Sequence, residues 1–280
     1  MQIDNKNFDE ERALYGQTGL TVKNCSFAGV ADGESALKEC REISVSDCFF
    51  DLRYPFWHVN KFAVSGSEMT KNCRAAIWYS QNGEIKNSKL HGIKALRECK
   101  AILLDGCEIN SPEFGWKCED VNVKNCSLNS EYPFFECSNI CCDKLEMTGK
   151  YSFQYLQNGD ISDSVLATKD AFWHSKNVTI KNSKITGEYL GWYSENLTLI
   201  DCTIEGTQPF CYCKGLKLVN CTMNNTDLAF ERSEVEATVQ GEILSVKNPL
   251  CGYIKCEKIG EFIWDLQGRN CNCEITTKEK

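Results

Sequence analysis

Apolar residues recur along this chain at a fixed interval. Phe27, Phe50, Met69, Leu90, Ile109, Leu128, Met147, Leu166, Ile185, Ile204, Met223 and Leu244 form one column. Eight of its eleven gaps are 19 residues, and the others are 23, 21 and 21. Each anchor ends a similar phrase, such as Asn-Cys-Ser-Leu128 or Asn-Ser-Lys-Ile185. Seven and five residues earlier stand two apolar positions with a polar one between, as in Val121 and Val123 or Leu197 and Leu199. That is the period of a half-buried strand. Three before the anchor, eleven of the twelve residues are Asn, Asp or Gly, from Asn24 and Asp47 to Asn220 and Gly241. These types tolerate a left-handed backbone, so the pattern predicts a sharp corner followed by a second short strand through the anchor. A third strand is expected after a longer turn, as at 55–59 and 209–213.

A short fixed period marks a solenoid, in which each coil buries its apolar face only against its neighbours. Stacked rungs lie about 4.8 Å apart, so exposed columns should avoid like charges in succession. The runs Glu68, Lys89, Glu108 and Glu98, Lys117, Glu136 alternate in sign as stacking requires. The expected fold is all-β: a right-handed, single-stranded parallel β-helix of about 12 coils, three short strands per coil. A leucine-rich repeat also fits the phrase from Leu197 to Ile204, but 19 residues is short for it and the rest of each coil shows no helical period. The chain reads as one domain. Residues 20–244 form the coils, 1–19 an N-terminal cap with a short helical turn at 9–14, and 245–280 a last irregular coil and C-terminal cap.

Nineteen cysteines change the picture less than their number suggests. Eleven fall in two columns, two and ten residues before the anchor, where Ser, Val and Leu take their place. No metal ligand or disulfide half exchanges that way, so these are expected to be reduced structural thiols. No metal site and no cofactor is expected. The net charge of -8 disfavours nucleic acid. The start of the chain reads as lacking a secretory signal, and no run is long enough for a membrane span. A cytoplasmic protein is the expectation.

The phrases at 168–173, 187–192, 206–209 and 246–249, among them Gly187-Glu-Tyr-Leu-Gly-Trp192, resemble those of a bacterial family of uncharacterised function. That family lies within the pectate-lyase-like superfamily of right-handed β-helices. The resemblance covers nearly the whole chain and implies a fold but no reaction. The Asp-Asp pair and Gly-His-Gly of polygalacturonase-like members are missing. Of the pectate-lyase Arg-x-Pro-x-x-Arg, only Arg53-Tyr-Pro55 remains, with His58 where the second arginine belongs. Whether the protein is an enzyme stays open.

The candidate chemistry lies twelve residues before the anchor. Trp57, Trp78, Trp116, Trp173 and Trp192 stand there, interspersed with Lys38, Arg97 and Gln154. Charged neighbours suggest a solvent-facing column, whereas strict strand alternation turns the rings inward; both orientations stand. Arg53, Arg74, Lys94 and Arg97 gather in successive coils nearby. The pattern suggests an anionic carbohydrate bound along a Trp and Arg face. Asp170 and Glu188, on adjacent coils, are the carboxylates to nominate for acid–base work. The alternative is a non-enzymatic scaffold docking a protein partner, since Trp, Tyr and Arg also dominate interface hot spots.

Overall fold

The computed structural model describes residues 1–265 and 270–278. They divide into two compact units, Met1–Cys141 and Cys142–Lys280. Each is a parallel β-helix. In the first unit one column of strands pairs in the register Val22↔Val45, Val45↔Val64, Val64↔Ile85, Ile85↔Leu104 and Leu104↔Val123. In the second the corresponding column runs Ile161↔Ile180, Ile180↔Leu199, Leu199↔Leu218, Leu218↔Ala237, Ala237↔Ile254 and Ile254↔Ile275. The turns number about 14, two more than the anchor column suggests.

The extra coils come from the segments expected to be caps. Residues 1–19 are a coil of the repeat: Gln2–Asp4 pairs with Thr21–Lys23, and Asn7–Phe8 with Ser26–Phe27. The segment 9–14 is a series of turns, not a helix. Towards the other end, Cys251–Cys256 pairs with Glu274–Thr277, and Glu242–Lys247 with Lys258–Ile263. Residues 266–269 and 279–280 of the expected C-terminal cap lie outside the described residues. The last anchor is also corrected. Leu244 is exposed while Ile243 is buried, because a register shift in the pairing of Leu216–Asn224 with Glu234–Gln240 displaces the column.

The left-handed corner is present from coil to coil, with φ of 50° at Asn24, 48° at Asn87, 50° at Asn125 and 53° at Asp201. Alternating surface charges pair across rungs, as in Lys117–Glu136 at 3.5 Å and Lys100–Glu119 at 2.8 Å. The third side of the coil differs from expectation. Among the described residues it pairs as strand where Ile77–Trp78 meets Leu96–Arg97, with single bridges at Arg97↔Trp116 and Ala229↔Val246. Elsewhere every second residue is left-handed, as at Tyr54, Phe56 and His58 with φ of 59°, 55° and 56°. Such a backbone is costly for residues with a Cβ. It is held because each amide still finds a carbonyl in a neighbouring coil: Tyr54 on Arg74, Phe56 on Ala36, His58 on Trp78. It also turns Phe56, Phe134, Phe153, Phe172 and Phe210 fully inward.

The cysteine columns line the interior as ladders of hydrogen bonds. The Cys25 amide donates to Cys48 Sγ, the Cys48 amide to Ser67 Oγ, and the Ser67 amide to Ser88 Oγ. Thiol and hydroxyl fill the same place because both accept from the coil before; Cys48 Sγ and Ser67 Oγ also donate to a carbonyl of their own coil. Burial pushes the thiols of Cys48 and Cys213 up to about 11, which leaves them protonated near neutrality. No cysteine stands in a disulfide. Thiol titration in denaturant should return close to nineteen groups; a majority locked in disulfides would contradict a structural role for free thiols. Among the described residues no helix is long and apolar enough to cross a membrane.

Candidate functional site

The tryptophans are neither core nor open shelf. In the first unit Trp57 and Trp78 stack at 5.2 Å with planes 2° apart. The Arg97 guanidinium lies between Trp78 and Trp116, 5.1 and 5.5 Å from their rings. Lys38 covers Trp57 on its free side at 5.8 Å. In the second unit Trp173 stacks on Trp192 at 5.3 Å. Each indole N–H donates to a backbone carbonyl of the next coil: Trp57 to Ala75, Trp78 to Lys94, Trp116 to Tyr132, Trp173 to Tyr189 and Trp192 to Gln208. Gln154 occupies the same column and its amide makes the same bond, to Asp170 O at 2.9 Å. The ring faces are therefore largely used by one another and by cations, and the edges point outward. The orientation follows from the left-handed residues on either side, Phe56 and His58 around Trp57, which break the strand alternation.

The cations separate in the same way. Arg53 pairs with Asp32 at 3.1 Å and lies 3.7 Å from Glu34, and its Nε is buried without a hydrogen-bond partner. Lys94 pairs with Glu113 at 3.1 Å. Arg97 meets Glu98 at 3.2 Å as well as its two rings. Among the described residues Arg74 has no carboxylate partner, and neither does Lys71, which the sequence reading did not single out.

Lys71 and Arg74 line a groove of about 260 Å³ with Gly29, Asp32, Asp51, Leu52, Arg53 and Asn72. Its walls are the places where the period fails. The 23-residue gap after Phe27 adds residues near 28–34, and the 21-residue gap after Met69 adds residues near 70–74. The regular turn at 51–53 lies between them as the floor. Asp51 Oδ1 accepts from Thr70 Oγ1 and from Asn72 Nδ2, the latter at 3.0 Å. Irregular gap lengths were the signal for Lys71, Asp51 and Asn72. In solenoids such insertions collect on a binding face.

In the second unit Asp170 and Glu188 stand on adjacent coils, the Asp170 amide donating to Glu188 O at 2.9 Å. Their carboxylates differ. Glu188 is exposed and held by Lys169 at 2.9 Å. Asp170 is 7% exposed, and burial raises its pKa, offset in part by Lys169 and reinforced by Glu188. A carboxyl with a higher pKa folded than unfolded binds more protons in the folded state, so stability falls as pH rises through the raised value. Asp170→Asn should therefore stabilise the fold at pH 7, with the gain vanishing below the ordinary aspartate range. Urea midpoints at both pH values check this; an unchanged or lowered midpoint at pH 7 would contradict it. Among the described residues no group of three His, Cys, Asp or Glu is placed to hold a metal ion.

Residues 1–276 match the model of a family described as a protein of unknown function, DUF3737. The chain belongs to that family. Membership agrees with the phrases at 168–173 and 187–192, and carries no activity with it. No curated protein matches the chain. Among solved structures, DUF3737 coils are similar to three parallel β-helix proteins. One is a surface adhesin of Streptococcus pneumoniae, at 10% identity over 87% of this chain and 82% of that one, TM-score 0.42. A periplasmic alginate epimerase matches at 6% identity over 94% and 75%, TM-score 0.38. The A-module of a mannuronan C-5 epimerase from Azotobacter vinelandii matches at 9% identity over 98% and 88%, TM-score 0.32. At these scores the likeness gives no argument about what DUF3737 chains bind.

Proposed function

We propose that this protein binds an acidic carbohydrate, and that the ligand enters the groove between residues 28–34 and 70–74. The observation that carries the reading is the local break in the period, which brings Lys71 and Arg74, two cations with no carboxylate partner among the described residues, beside Arg53. Uronate carboxylates suit planar guanidinium forks. Asp51 and Asn72 supply acceptors and donors for the hydroxyls of the same sugar. The volume is below the ~300–1,000 Å³ of pockets for larger ligands, so one sugar unit enters and the remainder of an oligomer runs over open surface. Ring stacking on the tryptophans contributes little, because Trp57 and Trp78 face each other.

Calorimetric titration with short oligogalacturonates, against a neutral oligosaccharide of equal length, tests the proposal. Lys71→Ala and Arg74→Ala should each weaken the acidic ligand by about tenfold, the worth of a charge-assisted hydrogen bond, without lowering stability. Equal binding of acidic and neutral ligands, or variants as tight as the parent, would overturn it. The second reading, a scaffold for another protein, is favoured by a different feature: Tyr155, His174, Tyr193 and Tyr212 stack at 5.1, 5.0 and 4.9 Å along the second unit. Their edges stay exposed, 44% at Tyr155 and 43% at Tyr193. Loss of a captured partner on Tyr193→Ala, with no saccharide binding, would favour it.

A further inference from the structure

The first unit carries a second groove, at the left-handed corner of its early coils. Asn24, Ser26, Asp47, Phe49, Gly66 and Glu68 wall about 420 Å³ there, and no cation lines it. Ser26, Phe49 and Glu68 stand in register on successive rungs. With the short Ser26 on one side, the Phe49 ring stays 39% exposed. The corner residues of the same coils are Asn24, Asp47 and Gly66. Elsewhere the next corner caps an aspartate, as the Asn220 amide does for Asp201. Asp47 is followed instead by a glycine, which has no side chain to offer. Its carboxylate lies over that glycine, Oδ1 2.6 Å from where a Cβ would stand. Among the described residues neither Asp47 nor Glu68 forms an ion pair, although Lys89 stands opposite Glu68 on the next rung. Asn24 donates its amide to Asp4 at 3.0 Å, which leaves its own side-chain carbonyl to accept.

We propose that this groove binds a primary ammonium group carried on an apolar stem. The N–H donors of the ammonium meet the Asp47 carboxylate, the Asn24 carbonyl and the Ser26 hydroxyl. Glu68 adds negative charge from the next rung. The stem lies along Phe49, whose ring face also attracts the cation. The repeat itself supplies a comparison. Two coils on, Asn87 and Gly106 form the same kind of corner, but Lys89 stands where Phe49 does, in register with Glu108. There the chain provides its own ammonium beside the carboxylate. At Phe49 the ring remains, the lysine is missing and the carboxylates are kept, so the ammonium comes from a ligand. The site is distinct from the groove at 28–34 and 70–74, whose excess charge is positive.

Amide correlation spectra of the labelled protein, titrated with n-pentylammonium at constant ionic strength, test the site. The amides of Ser26, Phe49 and Gly66 should shift together and saturate. Pentanol, of equal length without the charge, should bind at least about tenfold more weakly. Asp47→Asn keeps a residue suited to the left-handed corner, where φ is 55°, and should weaken the amine by about tenfold. Phe49→Ser places there the residue this column carries at Ser26, and should weaken it by about threefold. Nα-acetyl-lysine amide separates two sources of the same group. Tighter binding than pentylammonium assigns it to a lysine of a polypeptide, and weaker binding to a free alkylamine. Equal binding of pentylammonium and pentanol, shifts confined to other coils, or a folded Asp47→Asn protein that binds like the parent would overturn the proposal.

Discussion

Replacing Trp116 by alanine should destabilise the protein by about 3 kcal/mol, measured as a lowered urea midpoint. The substitution removes the indole N–H donor to the half-buried Tyr132 O at 2.7 Å. It also strips Arg97 of one of its two rings and uncovers Phe135, whose ring lies 5.1 Å away. A milder change has a precedent in the chain. Because Gln154 makes the column's hydrogen bond with its amide, Trp173→Gln should keep the bond to Tyr189 and lose only the stack on Trp192. It should cost clearly less than Trp173→Ala. If both cost the same, the carbonyl bond is not what fixes the column. If Trp116→Ala leaves the midpoint unchanged, the ladder is not structural at all.

The second large effect is expected at Gly187. A methyl group there would overlap the carbonyl oxygen of Thr168 in the preceding coil, and φ at Gly187 is 149°, a region closed to other residues. The strand beyond has no slack, since the Gly187 amide donates to Glu205 O at 2.8 Å. Relief requires the two coils to separate, so Gly187→Ala should cost at least about 3 kcal/mol. Gly241→Ala is the control. Its φ is 80°, but nothing lies within 4 Å of the position, so only the backbone preference is lost, about 1 kcal/mol. Similar losses for the two would mean that coil spacing adapts and that close approach at Gly187 is unimportant.

The fold was legible because every coil repeats the same demand. Asn24, Asn87 and Asn125 announce a left-handed corner, Val45 and Val64 announce the rung, and stacking makes each local signal confirm the next. The N-terminal end was legible too: Phe8 stands 19 residues before Phe27, with Asn5 at the left-handed corner (φ 52°) and Ile3 on the rung, so residues 1–19 carry the phrase and not a cap.

The Trp column was found in sequence but not its packing. Alternating left-handed residues at Tyr54, Phe56 and His58 carry no Asn or Gly signal, and without them the direction of Trp57 is undetermined. Among the nominated cations, sequence could not separate Arg53 and Lys94, which meet carboxylates, from Arg74, which does not. Partners one coil away lie 19 to 21 residues off, and side-chain reach decides between them. Lys71 was legible in principle from the two irregular gaps, which mark where the coil leaves its path.

The most direct measurement is a crystal structure of the protein grown with an acidic oligosaccharide. The account predicts a uronate carboxylate within hydrogen-bond reach of Arg74 and Lys71, its hydroxyls on Asp51 and Asn72, between the segments 28–34 and 70–74. A sugar ring lying across Trp57 and Trp78, or an empty groove at saturating ligand, would contradict it.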